Sequence, residues 1–394
     1  VPSLGYRSYR IELGRPTSNS SGIEVGEHSL ENGFFRIVLC PRTGAVRSLY
    51  DKELDRELVD TDAPHLLNQL VVRQVRSGDL ESSDRATISG GAKGSVYASL
   101  FVSTRTTVCP QVFQEIVLYD RIKRVDFACR LLKDSTPGVE MYFAFPFAAD
   151  RPSFHFEVSN SVIRPLRDQF PGSNSNYYAV QHWAEVADGD VGIVLSPIDA
   201  HLLEFGGLWP CYVSQAHHGV TPPDFGRPFV GPDDMDKGHM YSFVLDSNFT
   251  TNFQSAQQGD LLFRYALTAH RGDWQTGRPR DFGWGVANPL TPALREGPNR
   301  GTLPPCGSFC RVDADHVLVT ALKRAEDGDG IIVRLTETEG RSGTVTVTMP
   351  FLQIGRAWRT NLVEENASVL PAEAHAVTVP IGAFGIVTVR LEPR

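Results

Sequence analysis

Residues 95–132, SVYASLFVSTRTTVCPQVFQEIVLYDRIKRVDFACRLL, decide the fold, because they hold three consecutive segments rich in Val, Ile, Phe, Tyr and Thr. Apolar and polar residues alternate with period two in these segments, which is typical of β-strands that bury one face. Gly, Pro, Asp or Asn residues separate further segments of the same kind, at 139–147, 153–158, 191–196, 241–246 and 261–270. This density of strand signals predicts an all-β protein with large antiparallel sheets packed face to face.

An opening hairpin is predicted in ENGFFRIVLCPRTGAVRSLYDKEL, residues 31–54. Apolar residues alternate along its first strand and help to fill its second: Phe35, Ile37, Leu39, Val46 and Leu49. The turn falls at 41–44. Charged residues of both signs follow Tyr50, and interleaved charges are typical of a solvated hairpin end. We therefore expect this charged run to face solvent rather than to form an active site.

The spacing of the strand signals divides the chain into four parts. Residues 1–21 hold one strand, GYRSYRIEL, whose pairing partner we expect upstream of this sequence. Residues 22–286 contain the large sheets, and residues 287–308 form a linker rich in Pro and Gly. Strand signals restart in residues 309–394, which fit a small separate β-sandwich. The first residue is not Met, so we expect a processed chain or a piece of a longer protein.

Composition excludes several classes of partner. The 394 residues carry a formal net charge of -8, so no basic excess is present to neutralise the phosphates of a nucleic acid. No run of about 18 apolar residues predicts a membrane span, and no signal peptide is visible. The six cysteines form no CxxC pair, and we interpret them as buried or free thiols in a reducing compartment. We expect a cytoplasmic protein.

Motifs for a metal site or a nucleophile are missing from the sequence. No H-x-H, H-x-D or HExxH spacing is present, nor a G-x-S-x-G or P-loop motif. His155 and Glu157 share one face of a strand, which alternation alone explains. The pair His217 and His218 would need a third ligand to hold a metal. We therefore expect no metal or other cofactor in this chain.

Aromatic residues beside polar ones are the remaining functional signal, because rings stack on sugar faces while polar groups bind hydroxyls. Three stretches combine both at strand ends or in loops: QHW (181–183), FGGLW (205–209) and HRGDW (270–274). They nominate five side chains for sugar binding: His182, Trp183, Trp209, Asp273 and Trp274. Packing of the three tryptophans in a core or a loop is the alternative, and the sequence leaves both open.

Several of these blocks together resemble a known family. In order along the chain they are LENGFFRIVLCPRTGAVRSLYDKELDREL, HLLNQLVV, NYYAVQHWAEVADGDVGIVLSPIDAHLLEFGG and GHMYSFVLDSNFTTNFQSAQQGDLLFRYALTAHRGDW. This series is similar to the C-terminal β-region of the bacterial branch of the glycoside hydrolase family 38 α-mannosidases. VPSLGYRSYRIEL resembles the strand that closes the small sandwich before that region. The resemblance implies a galactose-mutarotase-like supersandwich followed by an immunoglobulin-like sandwich.

The resemblance also implies which chemistry belongs to the parent enzyme. Family members hydrolyse α-mannosides with retention, using a zinc ion and an Asp nucleophile that lie in an N-terminal barrel. The sequence contains no such barrel and no H-x-D pair, so none of those residues can be assigned here. The resemblance therefore implies that the catalytic domain is a missing N-terminal part of the parent enzyme. Zinc would be bound by that domain, and the α-mannoside would be a substrate of the parent enzyme.

Two features of the family's β-region can be compared directly. A Tyr that lines the family's substrate pocket corresponds to Tyr142 in VEMYFAFPF. Animal members also supply an Arg from a segment after a Gly-rich turn, whereas the matching LSPIDAHLLEFGG has no Arg. This departure suggests a different glycan preference.

The favoured hypothesis is a C-terminal β-domain that braces a catalytic barrel, lines part of its sugar cleft and is inactive alone. A stand-alone carbohydrate-binding module is the first alternative. An aldose epimerase is the second, since such enzymes share the supersandwich and use a general acid and base. His182 with Glu185 is the pair that we nominate for that chemistry.

Overall fold

The computed structural model describes residues 1–14, 22–209, 229–248, 254–297 and 301–394. Within them strands far outnumber helices, so the predicted all-β class is confirmed. The chain divides into two compact units. One contains residues 17–158 and 163–290, and is called the large unit here. The other contains residues 1–16, 159–162 and 291–394, and is called the small unit.

The strands are numbered in chain order. The first twelve are β1 (Gly5–Arg7), β2 (Glu24–Val25), β3 (Ser29–Glu31), β4 (Phe35–Leu39), β5 (Val46–Asp51), β6 (Arg56–Glu57), β7 (Gln69–Gln74), β8 (Leu80–Ser82), β9 (Thr87–Lys93), β10 (Tyr97–Thr104), β11 (Gln111–Tyr119) and β12 (Val125–Lys133). The next nine are β13 (Val139–Pro146), β14 (Ser153–Val158), β15 (Ser161–Ile163), β16 (Tyr178–Ala179), β17 (Ala184–Asp188), β18 (Val191–Pro197), β19 (Leu202–Phe205), β20 (His239–Asp246) and β21 (Gly259–Arg271).

The remaining strands are β22 (Cys306–Ser308), β23 (Arg311–Val312), β24 (Val317–Arg324), β25 (Ile331–Glu337), β26 (Gly343–Thr348), β27 (Ile354–Thr360), β28 (Asn366–Val369), β29 (Ala376–Ile381) and β30 (Ile386–Pro393). Two short α-helices, α1 (Trp274–Gly277) and α2 (Pro279–Ala287), follow β21, and a 3₁₀ turn spans Pro232–Asp234.

Three antiparallel sheets build the large unit. The largest contains β14-β17-β18-β21-β12-β11-β10-β9 in that order. The second has the order β16-β19-β20-β13-β7-β8, and the third has the order β2-β3-β4-β5-β6. Apolar side chains from all three sheets form one core, as the period-two alternation predicts. Every second residue of β11 and β12 is buried, and all of these except Gln114 and Lys133 belong to that core.

Strand β13 differs from its neighbours because all eight of its residues are buried. Met141, Phe143 and Phe145 point into the main core. Tyr142 and Ala144 point to the opposite face, where they pack in a second, smaller cluster with Val71, Tyr241 and Phe243. The second sheet is therefore covered on both faces along this strand, which places polar groups on its outward face in a dry environment.

The small unit contains a three-stranded sheet, β23-β26-β29, and a five-stranded sheet, β24-β25-β30-β27-β28. Alternating residues of both sheets, such as Val345 and Val347 from one and Val387 and Val389 from the other, share a single core. Strand β1 pairs with β22 through Gly5 and Ser308. Residues Gly5–Arg7 therefore have a strand partner within this chain, and a further partner upstream stays a prediction.

The opening hairpin follows the prediction closely. Strands β4 and β5 pair with Phe35 opposite Asp51 and Ile37 opposite Leu49. The turn is closed by hydrogen bonds from Cys40 N to Ala45 O and from Gly44 N to Cys40 O, both 2.8 Å. Gly44 has a φ of +73°, and a Cβ there would lie 2.2 Å from Val102 Cγ1, so only glycine fits.

The charged run at the end of this hairpin follows the prediction of a solvated end only in part. Lys52, Glu53 and Asp55 are exposed, whereas Asp51 is completely buried. Its Oδ1 accepts hydrogen bonds from the backbone N of Glu53 (2.9 Å) and Leu54 (3.0 Å), and its Oδ2 lies 2.8 Å from Lys123 Nζ. Glu57 accepts from Leu49 N and Val59 N. These carboxylates organise the chain reversal after β5, which is why one of them is tolerated in the interior.

Replacing Asp51 tests this role. Asp51→Ala removes both the turn acceptor and one of the two carboxylates that pair with Lys123, so we expect a loss of about 2–4 kcal/mol in the free energy of unfolding. Asp51→Asn keeps the Oδ1 acceptor and should cost less. Urea unfolding measures both. Glu27→Ala, at an exposed position, is the matched control and should stay within about 0.5 kcal/mol of wild type. Equal losses in Asp51→Ala and the control would contradict the assignment.

Candidate functional site

Two clusters of polar side chains lie on outward faces of sheets in the large unit, and all six side chains predicted to bind sugar lie in or beside them. The first, called the Arg73 cluster, consists of Arg73, Glu140, Tyr142 and Glu204 on the second sheet. The other, called the histidine cluster, consists of His155, Glu157, His182, Glu185 and His270 on the largest sheet. With the exception of His182, which lies between strands, the members of both clusters alternate along their strands with residues of the main core.

Strand register brings the Arg73 cluster together. Arg73 of β7 lies opposite Glu140 of β13, and Tyr142 lies two residues further along the same face. Glu204 of β19 lies opposite Tyr241 of the intervening strand β20. All four members of the cluster are buried, and the Glu140, Tyr142 and Glu204 side chains have no exposed surface.

Hydrogen bonds link the members of the Arg73 cluster. Glu140 Oε2 accepts from Arg73 Nη1 at 2.9 Å and from the Tyr142 hydroxyl at 3.1 Å. Glu204 Oε2 accepts from Trp209 N at 2.6 Å. The Tyr142 ring stacks on Phe243 with a centroid separation of 4.9 Å.

Burial controls the protonation of this cluster. It raises the pKa of Glu140, which the Arg73 guanidinium counteracts only in part. It also raises the pKa of Glu204, and that of the Tyr142 phenol, well above their usual ranges. One guanidinium thus faces two carboxyl groups in a dry site, an arrangement that favours retention of a proton by the carboxyl pair.

Further titratable groups extend along the same face. Burial raises the pKa of Tyr241 to about 12, and the nearby Glu204 adds to that shift. The Tyr241 hydroxyl lies 3.2 Å from His65 Nδ1, and burial lowers the pKa of this imidazole. His239 Nε2 lies 2.7 Å from Asp60 Oδ2. The outward face of the second sheet therefore holds a row of hydrogen-bonded acids, phenols and imidazoles.

Strand pairing also explains the histidine cluster. His155 of β14 lies opposite Glu185 of β17, and Gly192 of β18 lies opposite His270 of β21. A Cβ on Gly192 would lie 2.4 Å from His270 Cε1, so this glycine leaves the space that the imidazole fills. Phe154 and Phe156, which flank His155, point into the main core. Alternation within β14 therefore places His155 and Glu157 together on the outward face.

Two carboxylate–imidazole pairs dominate the histidine cluster. His182 Nδ1 lies 2.7 Å from Glu157 Oε2, and the other oxygen of Glu157 accepts from Trp284 Nε1 at 2.7 Å. His270 Nε2 lies 2.9 Å from Glu185 Oε2. His155 Nδ1 is 3.9 Å from Glu185 Oε1, which is too long for a hydrogen bond. Burial lowers the pKa of His155, which favours its neutral form.

The helices after β21 lie beside this cluster. The Asp273 carboxylate caps α1 by accepting from Thr276 N at 2.8 Å. Trp274 opens α1, and its ring centroid lies 6.4 Å from that of Trp183 and 6.1 Å from that of His155. Trp284 of α2 lies 4.4 Å from the His182 ring.

The structure distributes the predicted sugar-binding residues between the two clusters. Tyr142 and Trp209 belong to the Arg73 cluster or its border, and the other four lie in or beside the histidine cluster. Tyr142 and Trp183 are fully buried, whereas Trp209 and Trp274 are half-buried. A role for any of the six in sugar binding stays a prediction.

Two other pairs were predicted from the sequence, His182 with Glu185 as an acid–base pair and His217 with His218 as candidate metal ligands. His182 and Glu185, nominated as an acid–base pair, form their hydrogen bonds with other residues, Glu157 and His270. His217 and His218 lie outside the residues that the structure describes. Sequence reasoning missed Glu140 and Glu204, although each is an acidic residue within an apolar strand segment, VEMYFAFPF and HLLEFGG, and this pattern is a usable signal for a buried carboxyl group.

The described parts of the chain contain neither a candidate metal site nor a membrane-spanning helix. No group of three or more His, Cys, Asp or Glu side chains is placed to hold a metal ion. No described helix is long and apolar enough to cross a membrane. What the two clusters can do chemically is to form hydrogen bonds and to retain or exchange protons at buried carboxyl and imidazole groups.

Family models match two regions of the chain. Residues 30–197 match the glycosyl hydrolases family 38 C-terminal domain. Residues 316–389 match the glycosyl hydrolases family 38 C-terminal beta sandwich domain. The first region lies in the large unit except for residues 159–162, and the second lies wholly in the small unit. Comparison with curated protein sequences gives no significant match.

Solved structures with a similar fold include two from Enterococcus faecalis. An alpha-mannosidase from strain V583 superposes with a TM-score of 0.71 and 14% identity, over 95% of this chain and 43% of that protein. A protein in the glycosyl hydrolase family 38 gives a TM-score of 0.70 and 14% identity, over 96% of this chain and 45% of that protein. The chain therefore spans less than half the length of either structure.

The two family models occur in their expected order and together cover more than half of the chain. At 14% identity the solved structures establish the fold, and the family models establish the kinship. The chain belongs to glycosyl hydrolase family 38 and comprises its C-terminal β-domains.

Proposed function

We propose that the chain is the C-terminal β-region of a longer α-mannosidase-type glycoside hydrolase, in which retaining, zinc-dependent hydrolysis takes place in a separate catalytic domain. The observation that carries this proposal is the ordered match of two C-terminal domain models. The similarity of fold to the Enterococcus alpha-mannosidase over 95% of this chain supports it. We place the zinc ion of the proposed parent in that catalytic domain as well.

Within that enzyme we assign the chain a supporting role. The large unit braces the catalytic domain and lines part of the sugar cleft, and the chain does not hydrolyse mannosides alone. The Arg73 cluster supports the bracing part of the proposal, because its buried hydrogen bond between Arg73 and Glu140 ties strands β7 and β13 of the large unit together. The half-buried side chains of Trp209 and Trp274 support the cleft-lining part, since aromatic rings that keep some exposure can stack on sugars.

The first prediction compares the chain with the longer enzyme. We expect the 394-residue chain alone to give no turnover of an aryl α-mannoside above the buffer rate, and to bind less than one zinc ion per molecule. The polypeptide that also contains the catalytic domain should hydrolyse the same substrate. Chromogenic rate assays and metal analysis of the dialysed proteins measure both properties.

Three outcomes of this comparison are informative. Turnover by the chain alone would overturn the proposal. Accelerated anomeric exchange of a free aldose by the chain would favour an epimerase instead. Micromolar binding of mannose oligomers to the chain alone, measured by calorimetry, would favour a stand-alone binding module.

A second prediction concerns the aromatic rings. In the longer enzyme, Trp209→Ala and Trp274→Ala should each raise the KM for an α-mannoside about tenfold, because loss of one ring–sugar stack costs about 1–1.5 kcal/mol. Trp358→Ala is the matched control, since Trp358 is half-buried in the small unit and bonded to Glu392. A control that raises KM equally would show that these effects come from general destabilisation.

The third prediction uses the pH dependence of the Arg73 cluster. Because burial raises the pKa of Glu140 and Glu204, the folded chain holds a proton that the unfolded chain releases above about pH 4.3. The contribution of these groups to stability is therefore greatest below that pH and is lost as the pH rises through the raised pKa values. Glu204→Gln carries the neutral state permanently, so we expect a higher urea midpoint than wild type at about pH 8 and a flatter decline above about pH 5.

The control for this experiment is Glu27→Gln, an exposed substitution that should leave the pH profile unchanged. A midpoint for Glu204→Gln below that of wild type at about pH 8 would mean that the ionised carboxylate stabilises the fold. That result would contradict the retained proton.

A further inference from the structure

Two buried polar atoms of the histidine cluster face each other without a hydrogen bond. Glu185 has no exposed surface, and its Oε1 has no hydrogen-bond partner. His155 Nδ1 is also buried and without a hydrogen-bond partner, and it lies 3.9 Å from Glu185 Oε1. The other oxygen of Glu185 accepts a hydrogen bond from His270 at 2.9 Å. That imidazole therefore does not supply a donor to Oε1.

Leaving such atoms unpaired is costly. A buried donor or acceptor without a partner costs about 1–3 kcal/mol, and a charged group costs more. Two atoms that are 3.9 Å apart can both bond to one oxygen placed about 2.8 Å from each, with an angle of roughly 90° at that oxygen. A direct bond would instead require the two side chains to approach by about 1 Å.

We propose that His155 and Glu185 form a binding site for one hydroxylic oxygen, which bridges strands β14 and β17 on the outward face of the largest sheet. The ligand class is a molecule that donates an O–H to Glu185 Oε1 and either donates to or accepts from His155 Nδ1. Water and the hydroxyl group of a sugar share this chemistry. The site is independent of the function proposed above.

The surroundings of the site fit a small polar ligand. Trp183 lies two residues before Glu185 and is fully buried, and its Nε1 also has no hydrogen-bond partner. The indole N–H of Trp183 is thus a third buried polar group in this region without a hydrogen-bond partner. The Trp274 ring is adjacent to both Trp183 and His155. The His155 side chain is 16% exposed, which gives the ligand a route from solvent.

A crystal structure at about 1.5 Å resolution tests the site directly, determined with and without methyl α-mannoside. We expect an oxygen within about 2.6–3.2 Å of both His155 Nδ1 and Glu185 Oε1. An oxygen present in both crystals identifies water, and an oxygen present only with the mannoside identifies a sugar hydroxyl. A direct bond between His155 and Glu185 with no density between them would overturn the proposal.

A variant provides an independent readout. His155→Phe keeps a planar ring and removes Nδ1, so the bridging oxygen should be lost and amide exchange in residues 153–158 should become about tenfold faster. His201→Phe, at an exposed position, is the control and should leave both unchanged. An oxygen that keeps its place in His155→Phe would exclude His155 from the site. Circular dichroism establishes that each variant is folded before these comparisons are made.

Discussion

The double-sided burial of strand β13 is the constraint on which the large unit depends. This strand pairs with β7 on one edge and β20 on the other, and none of its eight residues keeps appreciable solvent contact. Its inward side chains complete the main core, so its outward side chains must also find partners in the interior. The Arg73 cluster provides such a partner, because Arg73 of the neighbouring strand β7 donates a hydrogen bond to Glu140 on the outward face of β13.

Alternation in the sequence predicted many of the strands that build the large unit. The segments at 95–132 became β10, β11 and β12, and alternate residues of each enter the core. Alternation does not reveal whether the second face of a sheet is covered, which is why Glu140 was not recognised as a buried acid. It also does not reveal turns that are built around a carboxylate. Asp51 therefore looked like part of a solvated end, although its two oxygens are used by backbone amides and Lys123.

The composition of the histidine cluster was partly visible in the sequence, but its pairing was not. The stretches QHW and HRGDW were recognised as polar–aromatic groups, and the fold places them at one site. Which imidazole meets which carboxylate depends on the strand order β14-β17-β18-β21, a long-range property. Glu185 consequently pairs with His270, 85 residues away, rather than with nearby His182. Local spacing carries no information about such partners.

The pairing of β1 with β22 has a consequence for how the chain folds. The Tyr6 hydroxyl bonds to Pro304 O across 298 residues, so the small unit is assembled from segments on either side of the large one. Closing so long a loop costs little more than closing a moderate one, about 0.6 kcal/mol per doubling of length. The separation in sequence therefore affects mainly the time at which the small unit can form, rather than its stability. During synthesis from the N-terminus, the first strand must wait until residues 306–308 leave the ribosome, and the large unit can fold while it waits. The small unit therefore cannot be complete until its last segments have been synthesised.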